Sequence, residues 1–409
     1  MKERNATTIE KVPRDSIGQK AKIYNLEEGL EVVIKHVIKR TLIKSPVVVE
    51  IAGGSASGKT EIVATGLKNA FGDDAMVISM DDYYYDKTRM AVLRETLHTI
   101  NYDQPASMDL DLIKMHVNEL RAGRSITKPV YDIKTESADK HEIVHPVKVI
   151  ILEGMFALYP GIFELGDIRV FVDIGLHGRL MRRLFRDMVK ADRKPVDILN
   201  NFANQVQPMH ELFVEPSKVN ADFIIENEYK PDVEAQRSGL HEVQKKFEFD
   251  ISSENLRRLG AERLGYFLQI DYYYNPKDRN LMETDEILRI RVEGNKRILT
   301  YKGPISDKVT KKRPKFEFEI DEATANKFLD FYGSVIKIIK KERTMYSIQD
   351  IVFSADSVYK VENGQEKFIG NFIELKSNNE IDGEYRIKSA LSKLNLNLSD
   401  GIKKSYFEM

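Results

Sequence analysis

Apolar residues change their spacing along the chain, and the changes divide it. In LEEGLEVVIKHVIKRTLI, Leu30, Val33, Ile34, Val37 and Ile38 recur three or four apart, which puts them on one face of a helix. That helix reads as a packing element within an N-terminal extension of residues 1–44. From Pro46 the rhythm shifts. PVVVEIAGG, MVISM, VKVIILEG and IRVFVDI are near-continuous apolar runs separated by helical stretches such as TEIVATGLKNAF. Strands of that kind are buried on both faces, so residues 45–230 read as an α/β domain, a parallel sheet between helices. A polar connector, placed at 231–243, leads into strict alternation in KFEFDI, FLQIDYYY, LRIRVEG, RILTYKG, KFEFEI and NFIELKS. Half-polar strands with short helical pieces between them predict an antiparallel α+β domain over 244–409.

Length and composition agree with this division. A chain of 409 residues has room for two or three domains, and 42% hydrophobic with 31% charged residues fits folded rather than disordered protein. The 63 basic and 64 acidic residues leave a net charge of −1, which removes the electrostatic case for a dedicated nucleic-acid binder. The absence of cysteine excludes disulfides, thiolate catalysis and cysteine-ligated zinc. The polar start, MKERNATTIEKVPRD, carries no signal-like apolar core, and VKVIILEGMFALYPGIF is interrupted by Glu153, Gly154 and Pro160. The expectation is a cytoplasmic protein with neither membrane nor nucleic-acid partners; the assembly state, a homo-oligomer included, stays open.

The sharpest chemical signal is GGSASGKT, comprising Gly53, Gly54, Ser55, Ala56, Ser57, Gly58, Lys59 and Thr60. It follows a predicted strand and opens a predicted helix, as the phosphate loop G-x-x-x-x-G-K-[ST] requires. Glycines let backbone N–H groups wrap an anion, and the helix N-terminus adds partial positive charge. Lys59 reaches the β- and γ-phosphates, and the Thr60 hydroxyl can ligate Mg2+. Asp81, in ISMDDYYYD, ends the next strand, on the edge where open α/β sheets bind ligands. A carboxylate there can accept a proton from an attacking hydroxyl or help hold the metal.

Taken together, GGSASGKT, ISMDDYYYD, NYDQPASMD, KPVYD, VIILEG, RLMRRLFRD and PMHELFVEPSK resemble the uridine kinase and phosphoribulokinase family, in its order, over about 180 residues. The resemblance implies ATP as phosphoryl donor, Asp81 and Lys59 as catalytic residues, and Thr60, Asp81 and Glu153 around Mg2+. It also implies Asp103 and Tyr131 on the acceptor. Arg183 would assist there, and Arg186 and Arg193 would approach the ATP phosphates from a lid helix. Two departures stand out. Where uridine kinases follow the tyrosine-aspartate pair with a histidine and an arginine, this chain has Glu136 and Ala138. The lid's arginine-glycine-arginine is Ala191-Asp192-Arg193.

In the C-terminal half, charges recur at every second position: Arg289 with Arg291, Glu317 with Glu319, Glu374 with Lys376. Such faces either meet water on an ordinary sheet or line a charged barrel lumen. FEFDI, FLQIDYYYNP, LRIRVEG, LTYKGP, KFEFEI, KKERTMYS and FIELKS are similar in order and spacing to the CYTH, or triphosphate-tunnel, family over about 160 residues. That resemblance implies an antiparallel barrel-like fold with a polyphosphate or triphosphate ligand held by Arg289, Arg291, Lys302, Lys341 and Arg343. Glu248, Asp250, Glu317, Glu319 and Glu374 would hold divalent metal. The family's first-strand Glu-x-Glu-x-Lys is matched to Glu248-x-Asp250-x-Ser252, with the lysine lost. The fusion also resembles plant tunnel proteins with a uridine-kinase-like half.

The function drawn from these residues is an ATP- and Mg2+-dependent phosphotransferase acting on a small-molecule hydroxyl, nucleoside or sugar-like, with a polyphosphate-binding CYTH domain. Two alternatives remain at this stage: a metal-dependent pyrophosphate or triphosphate hydrolase, and a nucleotide-responsive regulatory protein with little catalysis.

Overall fold

The computed structural model describes residues 21–97, 101–132, 135–190, 193–228, 241–249, 251–277, 279–304, 313–332, 335–348, 351–377, 383–397, 400–402 and 404–409. The chain forms two compact units that do not follow the sequence in single blocks. One comprises residues up to Ile174 together with Asn204–Glu228; the other comprises Gly175–Ala203 and everything from Tyr229 onward.

The first unit is a six-stranded parallel sheet. Its strands are β1 (Lys22–Asn25), β2 (Val47–Gly53), β3 (Ala75–Ser79), β6 (Val149–Glu153), β7 (Ile168–Asp173) and β8 (Phe223–Glu226), in the order β1-β8-β7-β2-β6-β3. A separate hairpin pairs β4 (Ile126–Asp132) with β5 (Ser137–Val144). Alternation within β2 shows how the two cores arise. Val47, Val49 and Ile51 face a core shared with Val33 and Val37 of α1 (Leu26–Thr41) and Leu67 of α2 (Thr65–Phe71). Val48 and Ala52 face the other, with Ile113, Val117 and Leu120 further along the chain. With every residue of β2 and β6 buried, the apolar runs have the two-sided character expected of a covered parallel sheet.

The N-terminal segment belongs to this sheet. Phe223 and Glu226 of β8 align with Lys22 and Asn25 of β1. The Asn25 side chain caps α1 by accepting from the Glu28 N–H at 3.0 Å, and Glu27 and Glu28 complement Lys39 and Arg40 at the other end. Val33 and Val37 are wholly buried, whereas Ile38 is largely exposed. The first 20 residues of the predicted extension, and residues 231–240 of the predicted linker, lie outside the described set.

The second unit is a closed antiparallel barrel. Its strands are β9 (His241–Glu248), β10 (Glu262–Tyr274), β11 (Ile287–Glu293), β12 (Lys296–Lys302), β13 (Arg313–Ile320), β14 (Val335–Ile348), β15 (Ile351–Glu362) and β16 (Gln365–Ser377). They run in the order β10-β11-β12-β13-β9-β16-β15-β14, and β14 pairs back onto β10. Phe247, Phe353, Ala355, Ile373 and Leu375 point outward into a core completed by Ile387, Ala390 and Leu391 of the helix Gly383–Lys393. Their neighbours in sequence point into the lumen, so period-two patterning separates an oily outer layer from a charged interior.

The helices α5 (Leu176–Lys190) and α6 (Pro195–Asn201) are part of this barrel unit, although the sequence reading assigns them to the kinase-like domain. The cause lies in their side chains. Phe185 packs edge-on against Phe316 at 5.4 Å between ring centroids, and His177 Nε2 meets Glu286 Oε2 at 3.3 Å. Glu286 also accepts from Tyr301 at 2.5 Å and Arg279 at 2.6 Å. Burial would raise its pKa, but His177 and the hydroxyls of Thr284 and Tyr301 hold it down at about 2.

One carboxylate in the sheet has the opposite fate. Glu50, in the middle of β2, is fully buried, and neither carboxylate oxygen has a hydrogen-bond partner. Burial pushes its pKa from 4.5 up to about 9 against the weaker pull of Arg169. The folded form therefore holds a proton that the unfolded chain releases. The stability tied to that proton is complete below pH 4.5 and is lost as pH rises through 9. The slope is at most about 1.4 kcal/mol per pH unit. Urea denaturation at pH 5.5 and 8.5 will find Glu50→Gln less sensitive to this rise than the native protein.

Candidate functional site

The phosphate loop leaves β2 at its C-terminal end and turns sharply into a helical segment, Lys59–Ala64, that continues into α2. Left-handed conformations at Ala56 (φ 65°) and Gly58 (φ 90°) bend the loop into a concave run of backbone, the shape that cradles an anion. Gly53 is required for another reason: a Cβ there would lie 2.5 Å from the Val172 carbonyl oxygen. The loop is braced by the Ser57 N–H donating to the Gly54 carbonyl at 3.0 Å and by Asn227 Nδ2 donating to the Ser57 carbonyl at 2.7 Å. Asn227, from the end of β8, is a support that motif reading passes over because it is 170 residues away in sequence.

Neighbouring strand ends add the polar chemistry. Because β6 lies between β2 and β3, Glu153 at its end reaches both sides. Thr60 Oγ1 donates to Glu153 Oε2 at 2.8 Å, and Ser79 Oγ donates to Glu153 Oε1 at 2.7 Å. Ser79 Oγ in turn accepts from the Asp81 N–H at 3.4 Å. Thr60, Glu153 and Asp81 thus form one connected group, with Ser79 as the link that sequence reading missed. Glu153 is 2% exposed, and no cation pairs with it among the described residues. A buried carboxylate met by hydroxyls, beside exposed Thr60 and Asp81, is a hard-oxygen donor set that fits Mg2+.

The turn bearing Asp81, Met80–Tyr83, is held from several sides. The Tyr83 hydroxyl meets His116 Nδ1 at 2.9 Å, and the Tyr83 carbonyl accepts from the Asp109 N–H at 2.9 Å. Asp82 Oδ1 accepts from the Tyr131 N–H at 3.3 Å, while Asp82 Oδ2 pairs with buried Lys128. Tyr131 on the hairpin is thereby tied to the residue next to Asp81. Asp103 has its N–H bonded to Asn101 Oδ1 at 2.9 Å, and neighbouring Tyr102 packs 5.7 Å from Tyr84. All these groups belong to the first unit.

The three lid arginines gather in the second unit. Arg186 Nε donates to Asp187 Oδ1 at 2.7 Å, Arg183 Nη2 donates to Asn201 Oδ1 at 2.8 Å, and Arg193 Nη1 lies 3.9 Å from Asp187 Oδ2. Asp187 gathers the cationic groups together, a role not assigned from sequence. Ala191 and Asp192 lie outside the described residues.

The barrel lumen collects most of its predicted cations and adds carboxylates that were not predicted. Asp271, wholly buried on β10, accepts from Arg289 Nη1 at 2.9 Å and Arg291 Nε at 2.7 Å, and pairs with Lys341 Nζ at 2.7 Å. Burial alone would raise its pKa; Arg289, Arg291 and Lys341 together hold it well below 3.8. Asp356 and Glu374 both receive Arg343, at 2.6 Å each. Lys302 is buried nearby on β12, and Glu317 accepts from Arg289 at 3.2 Å and Thr300 at 3.0 Å. Near the C-terminus, the Tyr406 hydroxyl donates to Asp356 at 3.0 Å, and Lys246 Nζ stands 3.9 Å from the Tyr406 ring.

Other predicted metal ligands are placed differently. Glu319 has a 61% exposed side chain facing Lys296, Glu248 is exposed at the end of β9, and Asp250 is outside the described residues. Ser252 caps the helix Ser253–Arg258, accepting from the Asn255 N–H at 3.2 Å, so it has left the strand. The expected first-strand match therefore does not hold. Strand pairing instead sets Lys246 opposite Glu374, and both are buried, so β9 does carry a buried lysine. Alternation along HEVQKKFEFDI gives no absolute position, and the pairing of β9 with β16 supplies it. Among the described residues, no group of three or more histidine, aspartate or glutamate side chains could hold a metal ion.

Comparison with known proteins matches two consecutive stretches of the chain. Residues 48–234 match the model of the Phosphoribulokinase / Uridine kinase family, and residues 241–406 match that of the CYTH domain. The uridine kinase of Bacillus cytotoxicus is 41% identical over 182 residues, covering 44% of this chain and 85% of the relative. That of Bacillus thuringiensis strain Al Hakam is 40% identical over the same length and with the same coverage. Among solved structures, a possible uridine kinase from Bacillus stearothermophilus covers 49% of this chain and 98% of its own, at 20% identity and a TM-score of 0.37. D-glycerate 3-kinase from Cryptococcus neoformans covers 48% and 95%, at 15% identity and a TM-score of 0.41.

Removing Asp271 would leave three buried cations without their shared carboxylate. Asp271→Asn is expected to destabilise the barrel unit by about 3–5 kcal/mol, read as an earlier urea transition in the full chain. Acidification to pH 4 will not reproduce this loss. A depressed pKa keeps the contribution in place above 3.8 and removes it only as pH falls through the much lower folded value.

Proposed function

The chain belongs to the Phosphoribulokinase / Uridine kinase family and carries a CYTH domain behind that part, and from this premise we propose that it transfers the γ-phosphoryl group of ATP to a small-molecule hydroxyl. The observation that carries the reading is the connected group Thr60–Glu153–Ser79–Asp81, which joins the phosphate loop to an exposed carboxylate across three adjacent strand ends. A simple anion-binding loop has no need of the second half of that group.

In this reading the loop amides and Lys59 hold the ATP phosphates. Thr60, Glu153 and Asp81 would hold Mg2+, which when bound neutralises charge on the β- and γ-phosphates. Ser79 orients this corner by donating to Glu153 and accepting from the Asp81 amide, so the Asp81 carboxylate projects from a fixed turn. Asp81 takes the proton of the acceptor hydroxyl as its oxygen attacks phosphorus. Asp103 and Tyr131 bind the acceptor. The CYTH domain binds a polyphosphate through Arg289, Arg291, Lys302, Lys341 and Arg343, in a lumen where Asp271, Asp356 and Glu374 already take up part of the positive charge.

Asp81→Asn is expected to lower acceptor-dependent ADP formation by about 10²–10⁴-fold. Calorimetric binding of ATP will persist, because the loop and Lys59 are untouched. Preserved turnover in that variant overturns the role of Asp81. Phosphate release at the same rate with no organic acceptor replaces the phosphotransferase with a phosphoanhydride hydrolase.

A further inference from the structure

The acceptor side of the proposed kinase site has a composition of its own. Tyr84 follows directly on the turn that carries Asp81. Its ring lies 5.7 Å from Tyr102 at an interplanar angle of 81°, and 5.6 Å from Tyr131 at 53°. Three rings set at such angles do not offer the parallel faces that stack on a flat base; they form the walls of a cage. Burial raises the pKa of the Tyr102 hydroxyl, and the negative charge of the nearby Glu136 carboxylate adds to that. Asp86 and Glu136 also act on Tyr131, adding to burial in keeping its hydroxyl protonated.

The surrounding charges have the same sign. Glu136 stands where the uridine-kinase pattern has histidine, and Ala138 where it has arginine, so two potential cations are replaced by an acid and a methyl group. The Glu136 turn is held by its carbonyl accepting from the Lys87 N–H at 3.0 Å. Lys128, the buried cation of the hairpin, is taken up by Asp82 and by Glu142 at 3.0 Å. Arg89 lies over the outer ring of Tyr85 at 4.4 Å. Ring faces carry negative quadrupole potential, and the Glu136 carboxylate, which acts on both Tyr102 and Tyr131, adds to it. An anionic acceptor such as a sugar phosphate meets repulsion there, whereas a cation is stabilised by both.

We propose that the acceptor is a small alcohol bearing a cationic nitrogen, an amino alcohol or amino sugar. Its ammonium group lies among Tyr84, Tyr102 and Tyr131 against Glu136, with its hydroxyl directed to Asp81. The assignment rests on the phosphotransferase reading above and names its substrate class. In the step, the acceptor oxygen forms a bond to the γ-phosphorus while the bond from phosphorus to the β,γ-bridging oxygen breaks. The bridging oxygen leaves with its electron pair on ADP, and the hydroxyl proton passes to Asp81.

Matched pairs test this with the full-length protein, ATP and Mg2+: glucosamine against N-acetylglucosamine, and ethanolamine against ethylene glycol, with uridine and ribulose 5-phosphate alongside. The cationic member of at least one pair should have a kcat/KM higher by about tenfold or more than its neutral partner and than ribulose 5-phosphate. Glu136→Gln should reduce that preference by about tenfold, and Glu136→Asp should restore part of it, at unchanged thermal stability. Equal or better use of neutral partners or of the sugar phosphate overturns the inference while leaving the phosphotransferase standing. So does a preference that Glu136→Gln does not alter. Calorimetry with β,γ-methylene-ATP separates the two readings. Cation-selective binding without turnover upholds the cage and rejects the phosphotransferase; failure of every cationic alcohol both to bind and to react rejects the cage.

Discussion

A charge withdrawn from water must be met by an opposite charge, a hydrogen bond or a proton, and both units of this chain are organised around that requirement. In the sheet, Glu153 is buried between two hydroxyls and links the phosphate loop to the strand end bearing Asp81. In the barrel, Asp271 draws Arg289, Arg291 and Lys341 onto one carboxylate. Glu50 meets the same requirement by the remaining route, keeping its proton because burial outweighs the weaker pull of Arg169. The near-zero net charge of the chain is the sum of these local settlements and says little about any one of them.

The two units use patterning differently to reach this end. In the parallel sheet the central strands β2 and β6 are apolar on both faces apart from Glu50, and the polar groups at the ends of β2, β6 and β3 become the site by adjacency. In the closed barrel the inward half of every strand is available for charge, because the hydrophobic layer lies outside, against helices such as Gly383–Lys393. The lumen can therefore hold many ionic groups without a crevice, provided they compensate one another.

Much of the candidate site was legible from local pattern, and the limits have physical causes. Loop residues 53–60 are contiguous, and their required φ values select glycine, so the motif carries its own geometry. Asp81 and Glu153 were visible as polar residues at the ends of apolar runs. Ser79, Asn227, Asp187, Asp271 and Asp356 were passed over because what makes each important is a partner brought close by folding. The placement of the first barrel strand has the same origin: alternation gives no absolute register, and the pairing of Lys246 with Glu374 supplies it. In sequence α5 and α6 lie within the family match of residues 48–234, while His177 and Phe185 tie them to the barrel.

By itself the sequence determined the two fold classes, the phosphate loop and the absence of thiol chemistry, since these follow from residue type and short-range spacing. Only the tertiary structure decided which carboxylate meets which cation and which strand register holds. It also decided which unit the lid helices join and that three tyrosines stand together beside Asp81. Electrostatic energy depends on distance in space, burial multiplies it, and neither quantity is written in the order of residues along a chain.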